Sequence, residues 1–314
     1  MFATKVKSTA KRSAAFASMC VLTAGLMLSC KDGGTAASPG AQPSEAATAG
    51  PSRPASPRAD ALYPGFTNGC PEWMVRVPSP PRDFCIDRFE AYATELTENG
   101  EAPHPSSVPP RNKRILAKVA PGALPQSSVN RFQADEACRN AGKRLCTVFE
   151  WKRACMGPSG TIFPYGEKEV AGKCNTRKVH ILSVFSGNDN KKWSAFDMNN
   201  PMLNKLEGFL AKTGAYPECR SGYGTYDQVG NLHEWVSDLV DERLAGSMGV
   251  SGGDELKARQ KIREIVGHGI FMGGFYSTGA QNGTGCDYMT IAHLPDHFDY
   301  STGFRCCGDA AGMK

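Results

Sequence analysis

The 314-residue chain lacks a basic surplus outside its first 30 residues. Its formal net charge is +5, but four of its 36 basic residues lie in that segment, which contains no Asp or Glu. The remainder therefore carries 32 basic and 31 acidic residues. A chain this close to neutrality has no basic surface for phosphate backbones, which argues against a nucleic-acid partner.

Two further patterns are missing, one typical of zinc proteins and one typical of membrane-spanning proteins. None of the 12 cysteines stands in a Cys-x-x-Cys pair, so a zinc site of the usual spacing is not expected. The longest apolar run, residues 14–28, is shorter than the ~20 residues that a membrane-spanning helix needs. No internal repeat is present, and 21% charged with 40% apolar residues is a globular composition.

The N-terminus resembles the export signal of a bacterial lipoprotein. A basic segment, residues 1–12, precedes the apolar run, as in secretory signals. The run ends in Leu28-Ser29-Cys30, which resembles the lipobox in which a cysteine receives diacylglycerol. We predict a signal over residues 1–30 and lipidation of Cys30, and the alternative is an ordinary cleaved signal. Lys31 rather than Asp follows, which favours an outer-membrane lipoprotein facing the periplasm or the cell surface.

The rest of the chain divides into a linker and one domain. Residues 31–68 are rich in Ala, Ser, Pro, Gly and Thr. Such a composition does not bury enough apolar surface to offset chain entropy, so we expect a flexible tether. Residues 69–314 have a size that suits a single core. Their short strands, few helices and long loops predict an α+β fold with little regular structure.

Three helices have recognisable ends in the sequence. Capping boxes that begin at Asn130 and Thr147 predict two helices, which Gly142 and Gly157 end. A third helix is predicted over residues 254–266.

The cysteines indicate an oxidising compartment. With Cys20 in the signal and Cys30 lipidated, ten remain, and an even number in an exported domain predicts disulfides. Cys70 and Cys85 would clamp the ends of a hairpin predicted from the alternating strands 74–77 and 84–87. Spacing leaves the connectivity of the others open. They are Cys138, Cys146, Cys155, Cys174, Cys219, Cys286, Cys306 and Cys307.

Collinear motifs resemble the formylglycine-generating-enzyme (sulfatase-modifying factor) domain family. They are Phe84–Glu90 (FCIDRFE), Ala141–Thr147 (AGKRLCT) with Glu150-Trp151, Phe163–Gly166 (FPYG), Gly222–Trp235 (GYGTYDQVGNLHEW), and the closing pair Gly273-Gly274 and Gly303–Cys306. The resemblance covers essentially all of residues 70–314. It implies an irregular α+β fold related to the C-type lectin fold and stapled by disulfides.

The resemblance does not extend to the family's catalytic cysteines. In catalytic members, two cysteines five residues apart follow a Gly-Gly-Ser turn and resemble a thiolate copper site that activates oxygen. Here Thr278 stands where the first cysteine would be, Phe275 replaces the serine, and His233 stands where the family usually has Trp. Cys286 is the only catalytic candidate. Because a hydroxyl does not replace a copper thiolate, copper is not expected, and a non-catalytic protein is the leading interpretation.

The resemblance also implies two calcium sites. The positions that match the second site are Asp227, the carbonyls of Gly230 and Leu232, and Glu234. Those that match the first are Asn175, the carbonyl of Thr176, Glu207 and the carbonyl of Phe209. Closely spaced carboxylates and carbonyls can wrap a hard cation. The alternative is that these polar groups cap turns without metal.

For the disulfides, the family pattern implies Cys138–Cys306. Cys155–Cys174 is a plausible local bridge beside Cys70–Cys85, and these choices leave Cys146–Cys307 and Cys219–Cys286. A competing pair, Cys155–Cys286, would resemble the catalytic relatives. In either arrangement Cys286 is oxidised.

Two functions therefore stay open. The leading one is a lipid-anchored, calcium-bound, non-catalytic module that binds a protein or glycan at the cell envelope. The alternative is an oxidoreductase that oxidises a substrate cysteine, through Cys286 or through another metal at His233 or His293. A purely structural envelope role differs from the first only in lacking a ligand.

Two other groups of residues receive a structural interpretation. The segment His293-x-x-x-His297-x-Asp299 has the spacing of a helical iron site, but Pro295 would break that helix, so we expect a solvated loop. Aromatic residues are more often core than binding platform. We assign Trp151 and Trp235 to the core, and Tyr276 and Tyr288 would line a pocket near the altered turn.

Overall fold

The computed structural model describes residues 69–187, 193–247, 255–279 and 282–310. The predicted signal, the predicted lipidation site Cys30 and the predicted tether over residues 31–68 lie outside these ranges. Within them, no helix is both long and apolar enough to cross a membrane. The described part is α+β, as the sequence predicts, with short helices and strands joined by long loops.

Eleven short strands in the described ranges form three sheets. The strands are β1 Met74–Val77, β2 Phe84–Asp87, β3 Tyr92–Thr97, β4 Gly100–Pro103, β5 Ile115–Lys118, β6 Arg144–Leu145, β7 His233–Leu239, β8 Gly269–Met272, β9 Met289–His293, β10 Thr302–Phe304 and β11 Cys306–Asp309. Their orders are β1-β2-β11-β6, β10-β7-β8-β9 and β4-β3-β5. β10 runs parallel to β7, and the other pairs are antiparallel.

The predicted hairpin is confirmed as β1 and β2. Met74 lies opposite Asp87 and Val77 opposite Phe84. On its other side β2 pairs with β11, so all four of its residues are buried. The first sheet therefore joins the beginning of the domain to its last described strand.

Six α-helices occur in the same ranges. They are α1 Arg131–Asn140, α2 Val148–Met156, α3 Ile181–Ser186, α4 Ala195–Met198, α5 Glu242–Ser247 and α6 Glu255–Ile265. Both predicted capping boxes are confirmed: Gln133 N donates to Asn130 Oδ1 at 2.8 Å, and Glu150 N donates to Thr147 Oγ1 at 3.2 Å. α6 covers residues 255–265 of the helix predicted over 254–266.

Trp151 on α2 and Trp235 on β7 are fully buried, which confirms their assignment to the core. Trp151 belongs to an apolar cluster formed by the first sheet, α2 and β8. Trp235 belongs to a second cluster that α1 forms with β5 and β10. The strand β7 contributes to both clusters, with Val236 in the first and Trp235 in the second.

Five disulfides join the ten described cysteines. Three of them are Cys70–Cys85, Cys138–Cys306 and Cys146–Cys307, as expected. The last two close loops of 168 and 161 residues, and long loops lose the most unfolded-state entropy when they are cross-linked.

The other two expected pairs are wrong. Cys155 bonds to Cys286 and Cys174 to Cys219, so neither Cys155–Cys174 nor Cys219–Cys286 forms, and the competing pair is correct. Cys174 and Cys219 both flank the turn at residues 227–231, whose N–H groups donate to the carbonyls of Asn175 and Cys219. Contacts with this distant turn, rather than nearness in sequence, determine the pairing.

Glu150 is a capping residue with a second partner. It accepts hydrogen bonds from Arg144 at 2.7 and 2.6 Å as well as from Thr147 N at 2.9 Å. Burial raises the pKa of Glu150, but these hydrogen bonds outweigh it and hold the pKa below the ordinary value near 4.5. Such a group stabilises the fold above its unfolded pKa and loses that effect as pH falls through its folded pKa.

We therefore expect Glu150→Gln to lower the free energy of unfolding by about 1–2 kcal/mol at pH 7, and by much less at pH 3. Urea unfolding at the two pH values measures the difference. Glu98→Gln, at an exposed position, is the control and should have no such pH-dependent effect. Equal losses for Glu150→Gln at both pH values would contradict the assignment.

Candidate functional site

Four charged side chains lie together in the interior of the domain. Glu90 follows β2, Asp227 lies in the loop before β7, Glu234 is on β7, and Arg305 lies between β10 and β11. Each is at most 4% exposed. Charges are buried this deeply only where other groups compensate them. We call these four residues the buried acidic cluster.

Arg305 and Glu234 form the centre of this cluster. Arg305 Nε and Nη2 donate to the two oxygens of Glu234, both at 2.6 Å. The guanidinium also donates to the carbonyls of Asp87 at 3.0 Å and Tyr226 at 2.8 Å. Trp151 Nε1 donates to Glu234 Oε2 at 2.7 Å. Both oxygens of Glu234 are therefore already engaged within the protein.

The other two carboxyl groups also interact electrostatically with Arg305. Asp227 accepts from Gly214 N at 2.7 Å, and Glu90 accepts from Asn231 Nδ2 at 2.5 Å. Burial raises the pKa of Asp227 to about 7. Burial, with the charges of Asp227 and Glu234, also raises the pKa of Glu90 well above its ordinary value. Three carboxyl groups thus lie around the Arg305 guanidinium, and either protons or a bound cation would relieve their mutual repulsion.

The positions expected for the second calcium site overlap this cluster. Asp227 and Glu234 belong to it, and Gly230 and Leu232 lie in the turn between them. Gly230 has φ +82°, and a Cβ there would lie 2.2 Å from the Asn175 carbonyl oxygen, so the turn requires glycine. Because Glu234 is held by Arg305, Asp227 and the two carbonyls are the donors left for an ion.

The first calcium site is partly assembled. Asn175 Nδ2 donates to Phe209 O and to Asn231 Oδ1, both at 2.8 Å. Asn175 Oδ1 is buried and has no hydrogen-bond partner in the described part of the chain. A buried amide oxygen beside a carbonyl suits a hard cation. Thr176 adjoins Asn175, but Glu207 is exposed.

Side chains alone do not form a metal cage in the described ranges. No three His, Cys, Asp or Glu side chains there are grouped so that they would hold a metal ion. Calcium in this region would therefore depend on backbone carbonyls and on the amide oxygen of Asn175. Asn231 links the two calcium regions, because it binds both Asn175 and Glu90.

The altered turn comprises residues 273–278, where the family carries its glycine turn. Gly273 has φ +81°, and a Cβ there would lie 2.4 Å from the Gln228 carbonyl oxygen. Thr278 closes the turn: its Oγ1 accepts from Phe275 N at 2.8 Å, and its N donates to Phe275 O at 2.8 Å. The hydroxyl is thus used within the turn.

No thiol accompanies this turn in the described residues. Cys286, the only catalytic candidate from the sequence, is fully buried and bonded to Cys155. It is therefore not a thiolate, so the alternative in which Cys286 acts as a redox thiol does not fit this structure. With a threonine hydroxyl at position 278 and a disulfide at position 286, the residues present do not fit a copper–thiolate site.

The cavity beside the altered turn is small. It measures about 30 Å³, which is room for one or two water molecules. Its described lining includes Thr278, Tyr288 and the ion pair between Arg177 and Glu169, whose Nε–Oε1 distance is 2.5 Å. Tyr288 lines a pocket as expected. Tyr276 instead is buried and donates from its hydroxyl to Asn204 Oδ1 at 2.9 Å.

His233 occupies a core position. Its ring lies 4.6 Å from that of Phe271, 5.0 Å from Phe275 and 5.6 Å from Tyr288. Burial lowers the pKa of His233 to about 3, so the ring is neutral at pH 7. A neutral ring stacked on aromatic neighbours is suited to replace tryptophan here.

Sequence reasoning missed Glu90, Asn231 and Arg305. All three lie inside motifs that identify the fold, and the sequence alone does not show that they meet. The available signal was a charged residue within a short, otherwise buried strand motif, such as the Arg in Gly303–Cys306. A charge in that setting requires a partner.

Comparison with known families agrees with this architecture. Residues 80–310, well over half of the chain, match the sulfatase-modifying factor enzyme 1-like domain. The chain therefore belongs to the formylglycine-generating-enzyme and sulfatase-modifying factor family.

Particular relatives match only in part. Mouse formylglycine-generating enzyme is 28% identical over 179 residues, which are 55% of this chain and 41% of the relative. Mouse inactive C-alpha-formylglycine-generating enzyme 2 is 25% identical over 195 residues, covering 61% of this chain and 51% of the relative. The chain thus spans less than half the length of the mouse enzyme.

Among solved structures, PvdO from Pseudomonas aeruginosa aligns with a TM-score of 0.40 and 12% identity. The alignment covers 76% of this chain and 99% of that chain.

Replacing Arg305 tests the buried acidic cluster. Arg305→Met would leave three buried carboxyl groups without their cation, and we expect it to lower the free energy of unfolding by about 3–5 kcal/mol at pH 7. The loss should shrink at pH 5, because protonation then removes part of the uncompensated charge. Arg177→Met, which breaks the exposed pair with Glu169, is the matched control and should cost at most about 1 kcal/mol.

Chemical unfolding of both variants at the two pH values distinguishes the cases. Similar small losses for Arg305→Met and Arg177→Met would contradict a central role for Arg305.

Proposed function

We propose that this protein is a non-catalytic member of its family, anchored by a lipid at Cys30, that binds a protein or glycan at the bacterial cell envelope. The family's scaffold provides the binding surface, and the tether over residues 31–68 gives that surface reach from the membrane.

The observation that carries the proposal is the altered turn. Thr278 uses its hydroxyl to close the turn, and the cysteine nearest to the turn, Cys286, is bonded to Cys155. The scaffold residues around them are intact, since Gly273 keeps its close approach to Gln228. Fold and chemistry are separable properties. The similarity to mouse inactive C-alpha-formylglycine-generating enzyme 2 also supports this view.

Calcium is part of the proposal as a structural ion. Asp227 with the carbonyls of Gly230 and Leu232 would hold one ion. Asn175 with the carbonyl of Phe209 would hold a second. Bound calcium would supply positive charge next to the carboxyl groups that surround Arg305. It would also fix the loops that carry these donors.

An oxidation assay tests the absence of catalysis. Incubated with copper, oxygen and a cysteine-containing sulfatase peptide, the full mature protein should form no aldehyde at the peptide cysteine, as read by mass spectrometry after any disulfide has been reduced. Mouse formylglycine-generating enzyme is the positive control. Labelling under denaturing conditions should find no free thiol among residues 69–310. Conversion of the peptide thiol to an aldehyde would refute the proposal.

Addition and chelation of calcium test whether the protein binds this ion. We expect calcium at 100 times its Kd to raise the melting temperature by about 5 °C or more, and a chelator to reverse this. Asp227→Ala should weaken this response, whereas Glu98→Gln, at an exposed position outside both calcium regions, should keep it. A wild-type protein that ignores both calcium and chelator would show that neither site binds.

Membrane fractionation tests the anchor. Cys30→Ala should release the protein from the membrane fraction, because no other strong membrane attachment is proposed. Ser29→Ala keeps a small residue before the cysteine and should remain in the membranes. If Cys30→Ala also remains there, the lipid anchor is wrong.

A further inference from the structure

Two histidines outside both calcium regions lie face to face at the end of β9. His293 is the last residue of β9, and His297 follows a turn that its N–H closes by donating to Leu294 O at 3.0 Å. The two ring centroids are 4.0 Å apart, with 18° between the ring planes. The segment is not the helix that its spacing suggests, yet the turn around Pro295 brings the two imidazoles together.

The carboxylate of Asp299 forms a hydrogen bond with the His297 ring. His297 Nε2 lies 3.3 Å from Asp299 Oδ2, and a carboxylate accepts, so Nε2 carries the hydrogen and Nδ1 keeps its lone pair. Asp299 is itself fixed, because Oδ1 accepts from Ser301 N at 2.8 Å and from Ser301 Oγ at 2.7 Å. A carboxylate that orients a histidine in this way is typical of metal-binding imidazoles.

The second ring is oriented by packing alone. His293 stacks on Phe271 at 5.5 Å, with 14° between the ring planes. In the described ranges, neither of its ring nitrogens has a hydrogen-bond partner. His268, on the neighbouring chain segment, differs, because its Nδ1 is engaged with Ile291 O at 3.1 Å. His293 therefore has both nitrogens available, whereas Nδ1 of His268 is already engaged.

From this geometry we propose that His293 and His297 bind a divalent late first-row transition metal ion, with Asp299 as the group that positions His297. Imidazoles are good ligands for Zn²⁺, Ni²⁺ and Cu²⁺. The nearly parallel rings do not aim their lone pairs at one point, so the His297 ring tilts about its Cβ–Cγ bond when the ion binds, while its Nε2 keeps the contact with Asp299. Its side chain is 23% exposed and adjoins solvent. Water completes the coordination.

Titration of the tag-free full mature chain with each ion, in the presence of calcium, tests the proposal. We expect one equivalent of Cu²⁺, Ni²⁺ or Zn²⁺ to bind, with Cu²⁺ the tightest, as the general order of stabilities requires. His297→Phe keeps a stacked ring and should remove saturable binding. Asp299→Asn should weaken binding by about tenfold, because it acts only through His297. His268→Phe is the matched control and should bind like the wild type.

A second measurement needs no variant. Zn²⁺ should slow carbethoxylation of His293 and His297, read by peptide mass spectrometry, while His268 in the same molecule reacts at an unchanged rate. Metal binding that persists in a His293→Phe/His297→Phe double variant would overturn the proposal. So would modification of residues 293–299 at the same rate with and without Zn²⁺. Neither result depends on whether the protein is catalytic.

Discussion

The ion pair between Arg305 and Glu234 is the interaction on which the rest of the architecture depends. Glu234 belongs to the sheet β10-β7-β8-β9, whereas Arg305 leads into β11 of the first sheet and binds the carbonyl at the end of β2. The guanidinium therefore ties both sheets to one point, and Trp151 adds α2 to it. A buried charge is tolerated only when its hydrogen bonds are satisfied, so this junction limits how the surrounding loops can run.

A backbone contact explains how the scaffold is kept although the family's catalytic cysteines are absent. Gly230 N donates to Gly273 O at 2.9 Å, so the altered turn is fixed against the loop that leads into β7. That contact involves backbone atoms alone and does not depend on the residue at position 278. Thr278 can therefore replace a sulfur ligand while the turn keeps its path. The chain can therefore keep the family's fold without the thiols at this turn.

Local signals made part of this structure predictable. The capping boxes at Asn130 and Thr147 and the β1–β2 hairpin with its Cys70–Cys85 clamp needed only neighbouring residues. The partner of Cys155 did not follow, because it depends on where a turn 131 residues away packs. The buried acidic cluster was missed for a related reason: carboxyl groups far apart in sequence become one electrostatic unit only after the sheets pack.

Strand β11 also determines when the first sheet and two of the disulfides can be completed during folding. It lies between β2 and β6, and its adjacent residues Cys306 and Cys307 bond to Cys138 and Cys146. Asp87 meets Cys306 across 219 positions of sequence. During vectorial synthesis, β2 therefore cannot pair with β11 until almost the whole domain has been made. A chain truncated before β11 would carry two unmatched thiols and two open strand edges, which quality-control proteases can recognise.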